Sequence, residues 1–173
     1  MKKIIISLLL IPISIIGLAI YTLETLTIED LIICSSYDEA YYIPSSTCEY
    51  YLKNYRANEK DIKYLESGFG LGFITTIDDS EKKYRLMDFF ISKGLDVNSK
   101  NKADGLTPLH SAIILNDPKL VEYLLSKKAD PLQTESNYGM TAYQYVDFLI
   151  SKNSKKNRSA VRKILFKFQN KKT

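Results

Sequence analysis

The chain has 173 residues, 45% hydrophobic and 25% charged, with a formal net charge of +4. One histidine and two cysteines exclude a metal centre built from His and Cys ligands, and they leave acid–base catalysis a single imidazole. About 150 residues beyond the first apolar run are enough for one domain with a modest core.

Lys2 and Lys3 precede a charge-free apolar run from Ile4 to Ile20. The pattern reads as a secretion signal, with Gly17 and Ala19 as the small residues before a cleavage point after Ala19. The run also approaches the length of about 20 apolar residues that spans a bilayer, although Pro12 and Gly17 make a poor anchor helix. Residues 1–19 are therefore expected to be a signal peptide or a membrane anchor. Both place the rest of the chain outside the cytoplasm, either periplasmic or anchored to the inner membrane and facing the periplasm. A lipoprotein reading of the segment ending in Cys34 fails because Ile33, before the cysteine, is not small.

Residues 20–57 form an extension that holds both cysteines. In an exported chain an even pair reads as one disulfide, and two cysteines allow one pairing, Cys34 with Cys48. Closing that loop stabilises by about 3 kcal/mol in the chain-entropy account. The segment from Tyr37 to Tyr51 is rich in Tyr and Ser and is broken by Pro44, so a short helix is expected there. From Cys48 to Leu65, Tyr51, Tyr55, Ile62 and Leu65 fall at mostly helical spacings, the pattern of a cap on the segment after it. Gly68-Phe69-Gly70-Leu71-Gly72 lacks the Gly-Lys-Ser/Thr ending of a phosphate loop and reads as a turn or a close helix contact. Asp78, Asp79 and Glu81 read as a solvated acidic cluster.

The next segment has a helix-pair pattern. Thr107 is a candidate helix cap with Pro108 at the first helical position, where a missing N–H costs nothing. Leu109 and Ala112 share one face, and Asn116-Asp117-Pro118 ends this helix and starts another. Leu120, Val121, Leu124 and Leu125 give the second helix its apolar face. Thirty-four residues earlier, Met87 through Asn98 repeats the pattern of Val121 through Leu132, with Gly94 where Lys128 stands. Thirty-four residues later, Gly139 through Val146 repeats the segment that begins at Gly105, and a second helix is expected late, at about 159–168.

The run from Asp104 to Ala112, with Leu120 to Leu125 and Ala129-Asp130 after it, resembles one ankyrin repeat almost from end to end. A single repeat cannot bury its own apolar face, so the flanking copies complete a stack. The resemblance implies an all-α solenoid of about three helix-turn-helix units over 58–168, with 102–134 the best copy and 169–173 a basic tail. It implies that His110 bonds backbone and Thr within the stack, a structural role. Lys128 departs from the family, which usually places Gly there, and a left-handed Lys costs roughly 1 kcal/mol.

The family binds partners on the concave side, formed by the turn tips and the exposed side of each first helix. Carried onto this chain, those positions are Ala103, Asp104, Leu106, Ile114 and Leu115, then Asn137, Tyr138, Met140, Phe148 and Leu149. Several are large and apolar, and Tyr is a favoured anchor. The resemblance implies no enzyme, no cofactor and no metal. No Gly-x-Ser-x-Gly, His-Glu-x-x-His or Cys-x-x-Cys occurs. It implies a protein partner and not a nucleic acid. Small exported ankyrin proteins of Gram-negative bacteria are similar to immunity proteins that neutralise toxic secreted enzymes, and an envelope adaptor is the alternative.

Charge separates along the chain. Ile20 to Ile150 carries 13 basic and 20 acidic residues, net −7, whereas Ser151 to Thr173 carries nine basic and no acidic ones, net +9. With Val161, Ile164, Leu165 and Phe168 at helical spacing, this end is expected to cap the stack, with membrane contact as the other reading.

Overall fold

A computed structural model describes residues 2–38, 40–152 and 155–170, with side chains from residue 14 onward. Every regular element in this range is helical. The chain divides into two compact units, Met1–Asn58 and Glu59–Thr173.

The first unit holds α1 (Lys2–Thr25), α2 (Ile28–Ser36) and α3 (Ser45–Tyr55). Thr27 starts α2 with a capping box: its hydroxyl accepts the Asp30 N–H at 3.1 Å, and Asp30 accepts the Thr27 N–H at 3.3 Å. The Thr27 hydroxyl, which also donates to the Asp30 carboxylate at 2.7 Å, holds that carboxyl below its usual range, helped by the Tyr41 hydroxyl at 3.0 Å and the Thr27 N–H. Helix α2 packs on α3 around Leu31, Ile32, Cys34, Cys48 and Leu52. The Cys34–Cys48 disulfide, with Cα atoms 5.8 Å apart, ties the two helices. Pro44 stands at the start of α3 rather than inside it. The expected signal or anchor falls largely on 1–13, outside the residues whose side chains are described. Among the described residues, no helix is long and apolar enough to cross a membrane.

The second unit contains α4 (Glu59–Ser67), α5 (Gly70–Ile74), α6 (Ser80–Ser92), α7 (Pro108–Leu115), α8 (Pro118–Ser126), α9 (Ala142–Lys152) and α10 (Ser159–Gln169). The expected cap over Cys48 to Leu65 is not one element. Tyr51 and Tyr55 belong to α3 and the first unit, whereas Ile62 and Leu65 are buried in α4 of the second. The chain breaks between them at Ala57, which is buried with φ +57°, a conformation no helix continues through.

The first helices α5, α7 and α9 pack in succession, and α6, α8 and α10 pack as their partners. The core runs through Leu71, Ile74, Met87, Phe90, Leu109, Ala112, Ile113, Leu120, Val121, Leu124, Val146, Val161 and Leu165, all at most 3% exposed. Fully burying side chains of this size is worth about 1.5–3 kcal/mol each. At the start of α7 Thr107 accepts the His110 N–H, and Asp117 accepts the Leu120 N–H at 3.0 Å to begin α8. Asn116 between these helices is left-handed at φ +60°. The acidic cluster resolves the same way, because Asp79 caps α6 by accepting the Lys82 N–H at 3.0 Å.

Between the helix pairs the chain makes two matching loops. Asn101 N–H donates to Leu106 O at 2.9 Å, and Glu135 N–H donates to Met140 O at 3.0 Å. Successive loops join through Lys102 N–H to Gly68 O and Ser136 N–H to Gly105 O. Gly105, at φ +68°, admits no other residue: a Cβ there would lie 2.6 Å from the Ser136 Cβ. Gly70 is held alike by Ser99, which gives the glycine-rich run its close-packing role.

Candidate functional site

The expected concave positions fall into three groups. Ala103, Asp104 and Asn137 are exposed on the loops, but Asp104 and Asn137 are committed to the scaffold. Asp104 Oδ1 accepts the Leu106 N–H at 3.0 Å, and Asp104 O accepts the Asn137 amide at 2.8 Å. They order the loop tips more than they offer free groups to a partner.

Leu106 is a correction. It is only 6% exposed, because its carbonyl and N–H close the loop onto the start of α7 and turn the side chain inward. A buried leucine at this position belongs to the core.

The remaining positions supply the apolar surface. Tyr138 is 65% exposed, Leu115 46% and Ile114 36%, while Met140, Phe148 and Leu149 are half-buried. Tyr138 and Phe148 come together with ring centroids 5.4 Å apart. Phe148 also lies 6.2 Å from Tyr145, and Tyr145 meets His110 edge-on at 5.1 Å. Lys152 Nζ sits 5.6 Å from the Phe148 ring centroid. The exposed ring of Tyr138 is thus the outer end of an aromatic chain that reaches the fully buried His110.

His110 is the pin of that chain. Its Nδ1 pairs with the Thr107 hydroxyl at 2.7 Å and its Nε2 with Met140 O at 3.0 Å. Oriented this way, a neutral ring donates from Nε2 to the carbonyl and accepts at Nδ1. Burial pushes its pKa below the ordinary value of 6.5, and the Met140 carbonyl only partly opposes this. The ring is inaccessible and joins two repeats, so it is structural.

Two groups that hold the site gave no sequence signal of their own. Glu135 is 1% exposed and accepts N–H groups from Asn137 at 2.6 Å, Tyr138 at 2.8 Å and Met140 at 3.0 Å. Burial alone raises its pKa, but the three N–H donors outweigh it and hold the carboxyl low. Tyr138 is therefore presented from a backbone already fixed. Asn101, 34 residues earlier, does the same for Ala103 at 2.8 Å, so the match of acceptors one repeat apart was the readable clue.

The second group is Arg158, 7% exposed, in the stretch between α9 and α10. Its Nη1 donates to Ile113 O at 2.5 Å and to Ile114 O at 3.3 Å. Lys156 reaches Ile114 O at 3.4 Å, and the Asn116 amide donates to Asn157 O at 3.0 Å. Cations thus close the C-terminal carbonyls of α7 and fix the backbone carrying Ile114 and Leu115. Leu132 and Phe69, 65% and 42% exposed, are further large apolar residues that the sequence reading passed over. Phe69 pairs with Phe73 at 5.9 Å on the first repeat.

Among the described residues, no group of three or more His, Cys, Asp or Glu could hold a metal ion. The surface offers rigid apolar contact and hydrogen-bonding loops, which suits recognition. In comparisons with known proteins, a family model described as ankyrin repeats (3 copies) matches residues 79–160. No curated protein and no solved structure matches the chain significantly. The paired helices, the repeating loops and this match agree: residues 79–160 form ankyrin repeats, and these repeats are a protein–protein interaction module.

Proposed function

We propose that the protein is an inhibitor of the immunity type, which neutralises a toxic secreted enzyme in the bacterial envelope by covering its active site. The observation that carries this reading is the Tyr138–Phe148 pair, an exposed aromatic anchor set on a backbone that Glu135 has already ordered. Binding to a surface of this kind loses little conformational entropy, which favours tight occlusion. The Cys34–Cys48 disulfide and the apolar run at Ile4 to Ile20 support an exported location, since structural disulfides persist in oxidising compartments.

A second reading, an adaptor that stabilises an envelope enzyme or tethers it near the inner membrane, draws on the nine basic residues from Ser151 onward. One experiment separates the two. Wild-type and Tyr138→Ala protein are used to capture partners from cell envelopes, and the captured protein is assayed free and bound. An inhibitor yields an enzyme that loses activity in the complex, with binding weakened by about 2 kcal/mol or more in the variant. A partner that stays active in the complex supports the adaptor. Unchanged capture by Tyr138→Ala, with helicity retained, moves the site away from the concave face.

A further inference from the structure

The groove between α8 and α10 is separate from the concave face and its supports. Its cavity is about 320 Å3 and is lined by Glu122, Leu125, Ser126, Lys163, Ile164, Lys167 and Phe168. That is within the size of small-molecule sites, roughly 300–1,000 Å3, and short for a docked helix. The lining is arranged by chemistry. Leu125, Ile164 and Phe168 make an apolar floor, Lys163 and Lys167 stand on the α10 rim one helical turn apart, and α8 contributes Glu122 and Ser126.

This rim needs an explanation that capping does not give. The buried face of α10 is Val161 and Leu165, so closing the stack does not require Ile164 and Phe168 to be as apolar as they are. Like charges at i and i+4 repel by a few tenths of a kcal/mol. Among the described residues neither Lys163 nor Lys167 makes an ion pair, whereas Arg162 beside them is bonded to Asp147 at 2.7 Å. Lys167 lies in the last turn, where the helix dipole favours it. Lys163 lies in the middle of the helix and has no such reason.

We infer that this groove binds a free single-chain anionic amphiphile. Its carboxylate or other anionic head would be held between Lys163 and Lys167, and its alkyl chain would lie along Leu125, Ile164 and Phe168. An apolar floor edged by two lysines that make no ion pair among the described residues, against the single carboxylate of Glu122, leaves the lining net positive and complementary to that ligand class. An uncharged chain would leave the lysines unpaired, and a flat bilayer could not enter the concavity. The site is independent of the concave face and of the inhibitor reading.

The test is calorimetric titration of the full chain with dodecanoate below its micelle concentration, beside 1-decanol as the uncharged probe. The N-terminal apolar helix gives a background common to all variants. Expected is saturable binding of dodecanoate to one site, at least tenfold weaker in Lys163→Gln/Lys167→Gln and at least tenfold weaker for the alcohol. Phe168→Ser keeps both charges and should lose the binding as well. Circular dichroism checks that these surface changes leave the helices intact. Equal binding by wild type and the double lysine variant overturns the inference, as does no binding at all. Attachment to vesicles of three parts phosphatidylcholine to one part phosphatidylglycerol without dodecanoate binding also overturns it, in favour of a membrane-surface role for α10.

Discussion

The middle and third repeats start their first helices alike and finish them differently. In the middle copy the Thr107 hydroxyl meets His110, whose ring goes on to Met140 O in the next copy at 3.0 Å. In the third copy Thr141 accepts the Gln144 N–H at 3.4 Å, and Gln144 Oε1 takes the Thr141 N–H at 2.9 Å. That is a capping box closed within the copy. The connections to the second helices differ too. Asn116 and Asp117 alone join α7 to α8, whereas Arg158 and Lys156 reach back to carbonyls at the end of α7 before α10 begins. At the start of its first helix the middle copy bonds forward to its successor, while Tyr123 and Lys127 at its second helix bond back to Asp88, each at 2.7 Å. The third closes its own helix start and bonds backward to its predecessor.

The largest effect should come from the shared core, where the comparison vanishes. Leu124→Ala empties a position with no exposed surface in α8 and should cost about 2–5 kcal/mol, read from denaturant unfolding. A loss under 1 kcal/mol would mean that α8 does not carry the stack.

Arg158→Ala tests the backward bond. Removing a buried charged donor leaves Ile113 O with only the Asn116 N–H, at 3.1 Å, and should cost about 2–3 kcal/mol. Hydrogen exchange should quicken at the end of α7 more than in α6. A uniform change would show that Arg158 only packs.

His110 tests the forward bond, and pH reads it. Its folded pKa lies below the unfolded 6.5, so the unfolded chain takes up the proton first. The contribution is therefore complete above about pH 6.5 and is lost as pH falls below it. His110→Gln should cost about 1–3 kcal/mol at pH 7.5 and remove this part of the acid sensitivity. Glu135, whose carboxyl is held low, adds its own loss only further down, as pH falls below about 4.5 toward its depressed value. Melting curves at pH 7.5, 6 and 5 check the difference. An unaltered pH dependence in His110→Gln would show that other groups set it.

This contrast also explains which features were legible in the sequence. Thr107, Pro108 and Leu120 to Leu125 act through local spacing, so the helix pair was readable, whereas the role of His110 followed from the resemblance to an ankyrin repeat. The late start of α10 was readable from Val161 and Leu165. Leu106 was misplaced because a loop residue shows no period, and its burial depends on how the loop closes. Arg158 was invisible for another reason. Its partner carbonyls lie 44 and 45 residues away, and in sequence it is one cation in a basic block. The apparent cap from Cys48 to Leu65 had helical spacing on both sides of Ala57, and spacing alone cannot reveal a left-handed residue between two helices.

The smallest effect sharpens the comparison between copies most finely, because one position differs in one residue. Gly94 and Lys128 come after α6 and α8 at the same point, with φ +100° and +70°. A left-handed L residue costs roughly 1–2 kcal/mol, and glycine removes that strain while giving the unfolded chain more freedom, worth about 0.4–1 kcal/mol. The two terms nearly cancel in Lys128→Gly, which should be neutral or stabilising by up to about 1 kcal/mol. Gly94→Ala reverses both terms. No atom lies within 4 Å of the Cβ it would add, so its cost is backbone strain less the gain from a stiffer unfolded chain. That cost should reach about 1 kcal/mol, since φ of +100° lies further from the left-handed well than +70° does. Differential scanning calorimetry on the two variants reads the pair together. A lowered melting temperature for Lys128→Gly would mean that the Lys128 side chain makes a contact worth more than its strain. The C-cap of the middle repeat would then be held by that side chain and not by the backbone conformation it shares with Gly94.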